Sequence, residues 1–244
     1  MDKSTFAGIP FAITTPAEAA KFVVDAASNP GTSFDFHFLN AYSIALSESD
    51  GAYRACLIKA ACNFPDGKPI SVLSRLGSAR LAQVRGPRLF ENAMNVGRSL
   101  HIRHYLLGST PETLRKLQTN LEERYPGVSI VGSFSPPFRD MTLEEQLAQD
   151  KQIKESGAQI VWVGLGTPRQ DFEAARLAAR GLNAIAIGAA FDFSAGTKVE
   201  APLWISKIGF EWLFRFATEP IRLWRRYLIG NLMFLRAVVR KGFL

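Results

Sequence analysis

Ile160-Val161-Trp162-Val163-Gly164-Leu165-Gly166-Thr167-Pro168-Arg169-Gln170-Asp171 opens on four apolar residues, turns on two glycines and runs into a helical pattern over Asp171 to Ala179. A short apolar run bounded by glycine marks a strand buried on both faces, and a helix directly after it is half of a βαβ unit. Backbone N–H groups at such a turn, together with the helix dipole, are suited to phosphate. The turn is not a dinucleotide fingerprint. Arg169 stands where the third glycine of GxGxxG belongs, and no P-loop Lys-Ser/Thr pair follows. Taken alone, Gly164 and Gly166 form either a phosphate cradle or a tight turn.

The same alternation spreads outward from this unit. Downstream, Ala184 to Ile187 reads as another buried strand, and the glycine-flanked stretch from Gly188 to Gly196 follows it. That loop is a structural turn or a place for Asp192 to hydrogen-bond ribose hydroxyls; two such loops together favour a nucleotide. Upstream, Thr142 with Glu145 caps a helix reaching Gly157, and Val128 to Val131 is a short strand. Ser109-Thr110-Pro111-Glu112 caps a helix that ends near Tyr125-Pro126-Gly127, and His101 to Leu107 is a strand. Ser33 to Leu39 alternates aromatic and polar residues like a half-buried strand and ends at Asn40. Thr15-Pro16-Ala17-Glu18 opens a helix that stops at Asn29-Pro30-Gly31. Strand and helix alternate across residues 30 to 195, which predicts a largely parallel sheet flanked by helices, with ligand at the carboxyl ends of its strands.

Composition bounds the rest. The 244 residues suffice for one α/β core with an appendage, and 47% hydrophobic with 21% charged residues excludes a disordered chain. Two cysteines, Cys56 and Cys62, are too few for a disulfide framework or a structural zinc site, which fits a reducing, cytosolic compartment. The N-terminal residues lack the pattern of a secretory signal. The longest uncharged apolar run in the tail, Tyr227 to Leu235, is half of the roughly 18 residues needed to cross a bilayer, and arginines flank it. It can lie on a membrane rather than span one.

The net charge of +7 is unevenly spread, because residues 199 to 244 hold eight basic residues against three acids. This segment has no strand signal and reads as two helices split at Glu219-Pro220. With about 100° per residue, Arg222, Arg225, Arg226, Arg236 and Arg240 form one stripe. Leu223, Trp224, Tyr227, Leu228, Phe234, Leu235 and Val238 face the other way. Such a helix lies in a membrane interface or packs on the core with a solvated basic face. The division expected is an α/β core over 1–198 and a basic amphipathic appendage over 199–244.

Pro65-Asp66-Gly67 is a turn by composition; its functional reading is a loop carboxylate acting as general base. His101 and His104 fall on opposite faces of a strand, so the three histidines do not suggest a metal. No Asp-x-Asp occurs, and the charge of a leaving diphosphate falls to arginines, with Arg215, Arg222 and Arg225 the supply. No metal or other cofactor is expected.

Taken in chain order, several stretches resemble one family. They are Phe64-Pro65-Asp66-Gly67, Val84-Arg85-Gly86-Pro87, Tyr105-Leu106-Leu107-Gly108 with Tyr125-Pro126-Gly127, Trp162 to Gln170, Phe191 to Gly196, and Glu211-Trp212-Leu213-Phe214-Arg215 through Glu219-Pro220 to Arg225-Arg226-Tyr227. Together they resemble the WecG/TagA/CpsF bacterial glycosyltransferases, over nearly the whole chain. The resemblance implies a Rossmann-like core with a membrane-associating tail. It implies inverting, metal-independent transfer of a hexose-type sugar from a UDP-sugar to a polyprenyl-diphosphate-linked sugar, at the cytoplasmic face of the inner membrane. The product class is exopolysaccharide, capsule or teichoic acid. The partners implied are that donor, that acceptor and an anionic membrane surface, with no nucleic acid. Asp66 matches the family's catalytic base, Asn40 and Gln170 polar pocket residues, and Gly188 and Asp192 the nucleotide loop. Arg215, Arg222 and Arg225 match tail arginines that hold the diphosphate. Arg85, Gly164 and Gly166 complete the expected substrate contacts, with Phe138 as the stacking partner of uracil. Two departures stand out: Phe38 replaces a common threonine, and Asp171 follows Gln170 where the family often has Glu. A nicotinamide-dependent oxidoreductase and a non-enzymatic surface-binding module remain rival readings.

Overall fold

The computed structural model describes Met1 to Gly242 apart from residues 30, 32, 78–79, 203–204 and 206–210, and gives backbone only at 211, 215, 222 and 225–229. The described elements are β1 (Lys3–Phe6), β2 (Ile9–Ala12), α1 (Pro16–Ser28), β3 (Asp35–Leu39), α2 (Ala41–Ser49), α3 (Gly51–Lys59), β4 (Cys62–Pro65), α4 (Lys68–Leu73), α5 (Gly86–Gly97), β5 (Arg103–Gly108), α6 (Pro111–Arg124), β6 (Ser129–Phe134), α7 (Leu143–Glu155), β7 (Ile160–Gly164), α8 (Arg169–Ala179), β8 (Ala184–Ala186), α9 (Ala190–Ser194), α10 (Glu211–Thr218) and α11 (Pro220–Lys241). Six strands form a parallel sheet in the order β4-β3-β8-β7-β5-β6, flanked by helices, as the alternation predicts. The chain divides into two compact units, one of residues 16–37 and 86–198, the other of residues 1–15, 38–85 and 199–244.

In the first unit, β8 pairs with the start of β3 and with β7, which pairs with β5, and β5 pairs with β6. One face of these strands packs Tyr105, Leu107, Val161 and Val163 against Ala174 and Leu177 of α8. Another cluster sets Phe90 edge-on to Trp162 at 5.0 Å, with Phe191 5.8 Å from Phe90. Thr142 and Glu145 form the expected capping box, and Thr110 caps α6. Three expectations are corrected. The strand after Gly127 runs Ser129–Phe134 and so extends beyond the expected end at Val131. His101 lies outside β5 in a left-handed turn (φ 51°), while His104 is buried within it. β3 is not half-buried: Phe36, His37, Phe38 and Leu39 are all buried, because a strand inside a parallel sheet is covered on both faces.

The second unit contains two features missing from the sequence reading. β1 and β2 form a hairpin through Ala7 and Gly8, both at positive φ, the geometry of a tight hairpin turn. β4 occupies Cys62–Pro65, directly before the Asp66-Gly67 bend, where no strand was expected. Its Phe64 stacks on Phe38 at 5.1 Å, so the departure at Phe38 is a buried packing residue. Phe6, Phe11, Leu39, Ile44, Tyr53 and Leu57 build the core, and α11 adds Phe234, Ala237 and Val238.

The apolar face expected of the tail therefore splits. Leu223, Phe234, Ala237 and Val238 are buried, with α11 packed on α2. Ile221, Trp224, Leu232, Leu235 and Val239 are exposed and recur at helical spacing on a second stripe. Arg236 and Arg240 are exposed too. Among the described residues, no helix is long and apolar enough to cross a membrane.

Candidate active site

In the second unit the Pro65-Asp66-Gly67 turn leaves the carboxyl end of β4. The Asp66 amide donates to Leu39 O at 2.7 Å, and the Val84 amide donates to Pro65 O at 2.8 Å, so main-chain bonds pin the turn on two sides. Gly67 caps α4 with φ 107° and ψ 146°, a conformation close to one that only glycine adopts freely. No crowding adds to this, since a Cβ there would meet Asn40 Cβ and Pro69 Cδ at 3.8 Å. Asp66 is partly exposed.

Asn40 follows β3 and caps α2. Its Oδ1 accepts from the Tyr42 and Ser43 amides at 3.0 and 3.3 Å, while its own amide donates to Ser43 Oγ at 3.4 Å. The carboxamide oxygen is committed to the cap, and the Nδ2 donors are what Asn40 can offer a substrate. Arg85 follows Val84 directly and pairs with Glu200 at 2.8 Å. The structure thus brings Asn40, Asp66 and Arg85 to one neighbourhood. The side chains of Arg215, Arg222 and Arg225 lie outside the described part of the structure; their backbones belong to α10 and α11.

In the first unit the glycine loop leaves β7. A Cβ at Gly164 would meet Phe191 Cδ2 at 2.7 Å, so this glycine answers to packing. Gly166 has φ 78°, and its amide donates to Gln170 Oε1 at 3.0 Å. Gln170 is buried and acts as a strut inside the loop, with Nε2 turned toward Gly188. The Gly166 N–H expected to face a phosphate is therefore already occupied. Gly188, at φ 60°, leads into α9, where Asp192 pairs with Lys198 Nζ at 3.0 Å. Asp192 O accepts from the Thr197 and Lys198 amides, closing the loop on itself. Phe138 is 88% exposed. A groove of about 450 Å³ nearby in sequence is lined by Pro111, Leu114, Arg115, Gln118, Ser133, Phe134 and Ser135, without Phe138.

One arrangement escaped the sequence reading. His37, fully buried in β3, has Nδ1 2.9 Å from Asp171 Oδ1 and Nε2 3.0 Å from Asp35 Oδ2. Burial alone would lower its pKa, but hydrogen bonds and charges of Asp171 and Asp35 outweigh that and raise it to about 9. Asp171, at the position where the family often has Glu, thus has a specific buried partner. The alternation of Asp35 and His37 with phenylalanines was the available signal, read there as a solvent face. His104 differs: Nδ1 accepts from Trp162 Nε1 at 3.1 Å, and burial lowers its pKa to about 4.

A parallel α/β sheet whose glycine and carboxylate loops follow the carboxyl ends of strands is the Rossmann-like class of enzyme architecture. Within that class the sequence matches the glycosyl transferase WecG/TagA/CpsF family over residues 4–244, and the chain belongs to this family. Its members are glycosyltransferases of cell-surface polysaccharide synthesis, which act on a sugar donor and an acceptor.

Proposed function

We propose that this protein transfers a hexose-type sugar, with inversion and without a metal, from a UDP-sugar to a polyprenyl-diphosphate-linked sugar. The observation that carries the reading is the Asp66 turn: a partly exposed carboxylate, its backbone pinned to Leu39 and followed by the Gly67 bend, next to the capped Asn40. Asp66 takes the proton of an acceptor hydroxyl as that oxygen attacks the anomeric carbon from the face opposite the UDP leaving group. Asn40 and Arg85 orient the sugars. The loops around Gln170 and around Gly188 and Asp192 hold the nucleotide, and Arg215, Arg222 and Arg225 neutralise the departing diphosphate.

The membrane part of the reading is supported by the exposed stripe Ile221, Trp224, Leu232, Leu235 and Val239, with Arg236 and Arg240 exposed on the same helix. An apolar stripe flanked by arginines suits the cytoplasmic face of an anionic inner membrane, where the lipid-linked acceptor resides. The test is incubation of the protein with radiolabelled UDP-sugars and a prenyl-diphosphate sugar, with and without EDTA. Label entering the lipid fraction in both cases supports the proposal. Activity lost in EDTA and restored by magnesium overturns its metal independence, and no label across a broad donor panel overturns the transferase assignment.

A further inference from the structure

We infer that His37 is a positioning residue for the Gly166–Gln170 loop, acting through Asp171. Both ring nitrogens face carboxylate oxygens, Asp171 Oδ1 at 2.9 Å and Asp35 Oδ2 at 3.0 Å. Two acceptors require two donors, so the ring is the imidazolium, an ion held between two carboxylates. The ring is wholly buried and Asp171 almost so, which keeps both from touching a substrate. What they can do is fix the helix. Asp171 is the third residue of α8, and its amide donates to Pro168 O. Gln170, one residue earlier and equally buried, has Oε1 on the Gly166 amide. A connected path thus runs from β3 through the His37–Asp171 ion pair, along the chain to the neighbouring Gln170, and through its hydrogen bond to the glycine loop. Asp171 on α8 and Asp35 on β3 are the charged groups acting on the ring, and β8 presents Ala186 in register with it.

Removing the proton from His37 turns one nitrogen's donor into a lone pair facing a buried carboxylate, so the helix start loosens as pH rises through about 9. The kinetic consequence rests on the proposed donor role of the loop; the ordering of the loop does not. Amide exchange in the intact protein, corrected for its intrinsic pH dependence, tests it. His37→Gln and Asp171→Asn should speed exchange at Gly166 by about tenfold or more while the β5 amides stay protected. The wild type should show the same loosening above pH 9, and H37Q should not. Asp171→Glu should restore much of the protection. With a UDP-sugar as donor, KM should rise about tenfold in D171N with kcat little changed. Unchanged Gly166 exchange in folded D171N, or a flat wild-type pH profile, overturns the inference. If H37Q fails to fold, D171N and the wild-type pH series still decide. A wild type that uses no UDP-sugar sinks the proposed function while leaving the exchange result to stand or fall on its own.

Discussion

The turn after β4 and the loop after β7 both follow buried strands and both depend on glycine, yet they are held in different ways. Main-chain bonds to Leu39 and from Val84 fix the first, and its Gly67 is demanded by backbone conformation. Buried side chains hold the second: Gln170 bonds Gly166, Asp171 meets His37, and Phe191 fills the space beside Gly164. A turn shaped by its main chain can exchange a side chain without losing its form. A loop built on packed side chains cannot.

The sharpest test of this contrast is Asp66→Asn. Turnover should fall roughly 100-fold or more, with the melting temperature nearly unchanged, because a carboxamide keeps the shape and loses the base. An inactive variant that also melts early would break the comparison. Gly164→Ala comes next, with an expected loss of about 1–3 kcal/mol in urea unfolding from the Cβ driven into Phe191. Phe191→Leu in the same chain should return part of that loss, a coupling readable in a double-mutant cycle. Gly67→Ala should cost about 1 kcal/mol or somewhat more, since strain acts without a clash, and no second substitution should relieve it.

A separate set of tests concerns pH. His37, raised to about 9, contributes stability that is complete below 6.5 and lost as pH climbs through 9. His104, lowered to about 4, contributes stability that is present above 6.5 and lost as pH drops through 4. Urea unfolding between pH 4 and 10 should trace a dome, and His37→Gln should flatten the alkaline limb alone.

Much of the sheet was legible because its signals are local. The boxes at Thr142 and Glu145, the cap at Thr110 and the apolar runs of β7 and β8 each lie within a few residues. β4 was not legible, since four residues ending in proline carry no periodicity and follow a helix. In the site, Asp66 stood out as a loop carboxylate while Asn40 and Gln170 came from resemblance, and the structure added the main-chain bond of Asp66 and the side-chain bonds of Asn40 and Gln170. The His37–Asp171 pair spans 134 residues, and no local pattern encodes a bond of that reach. The tail was half legible: its apolar residues are evident, but which of them face α2 depends on where the helix docks.

That docking reaches further than the tail itself. Gly230 lets α11 approach so closely that an added methyl would sit 3.4 Å from the Tyr42 ring, and the Tyr42 amide is one of the two held by Asn40. Part of any sideways load on the last helix would fall on that tyrosine, one hydrogen bond from the asparagine beside the Asp66 turn. The last helix and the proposed chemistry thus meet through one shared tyrosine as well as through the core.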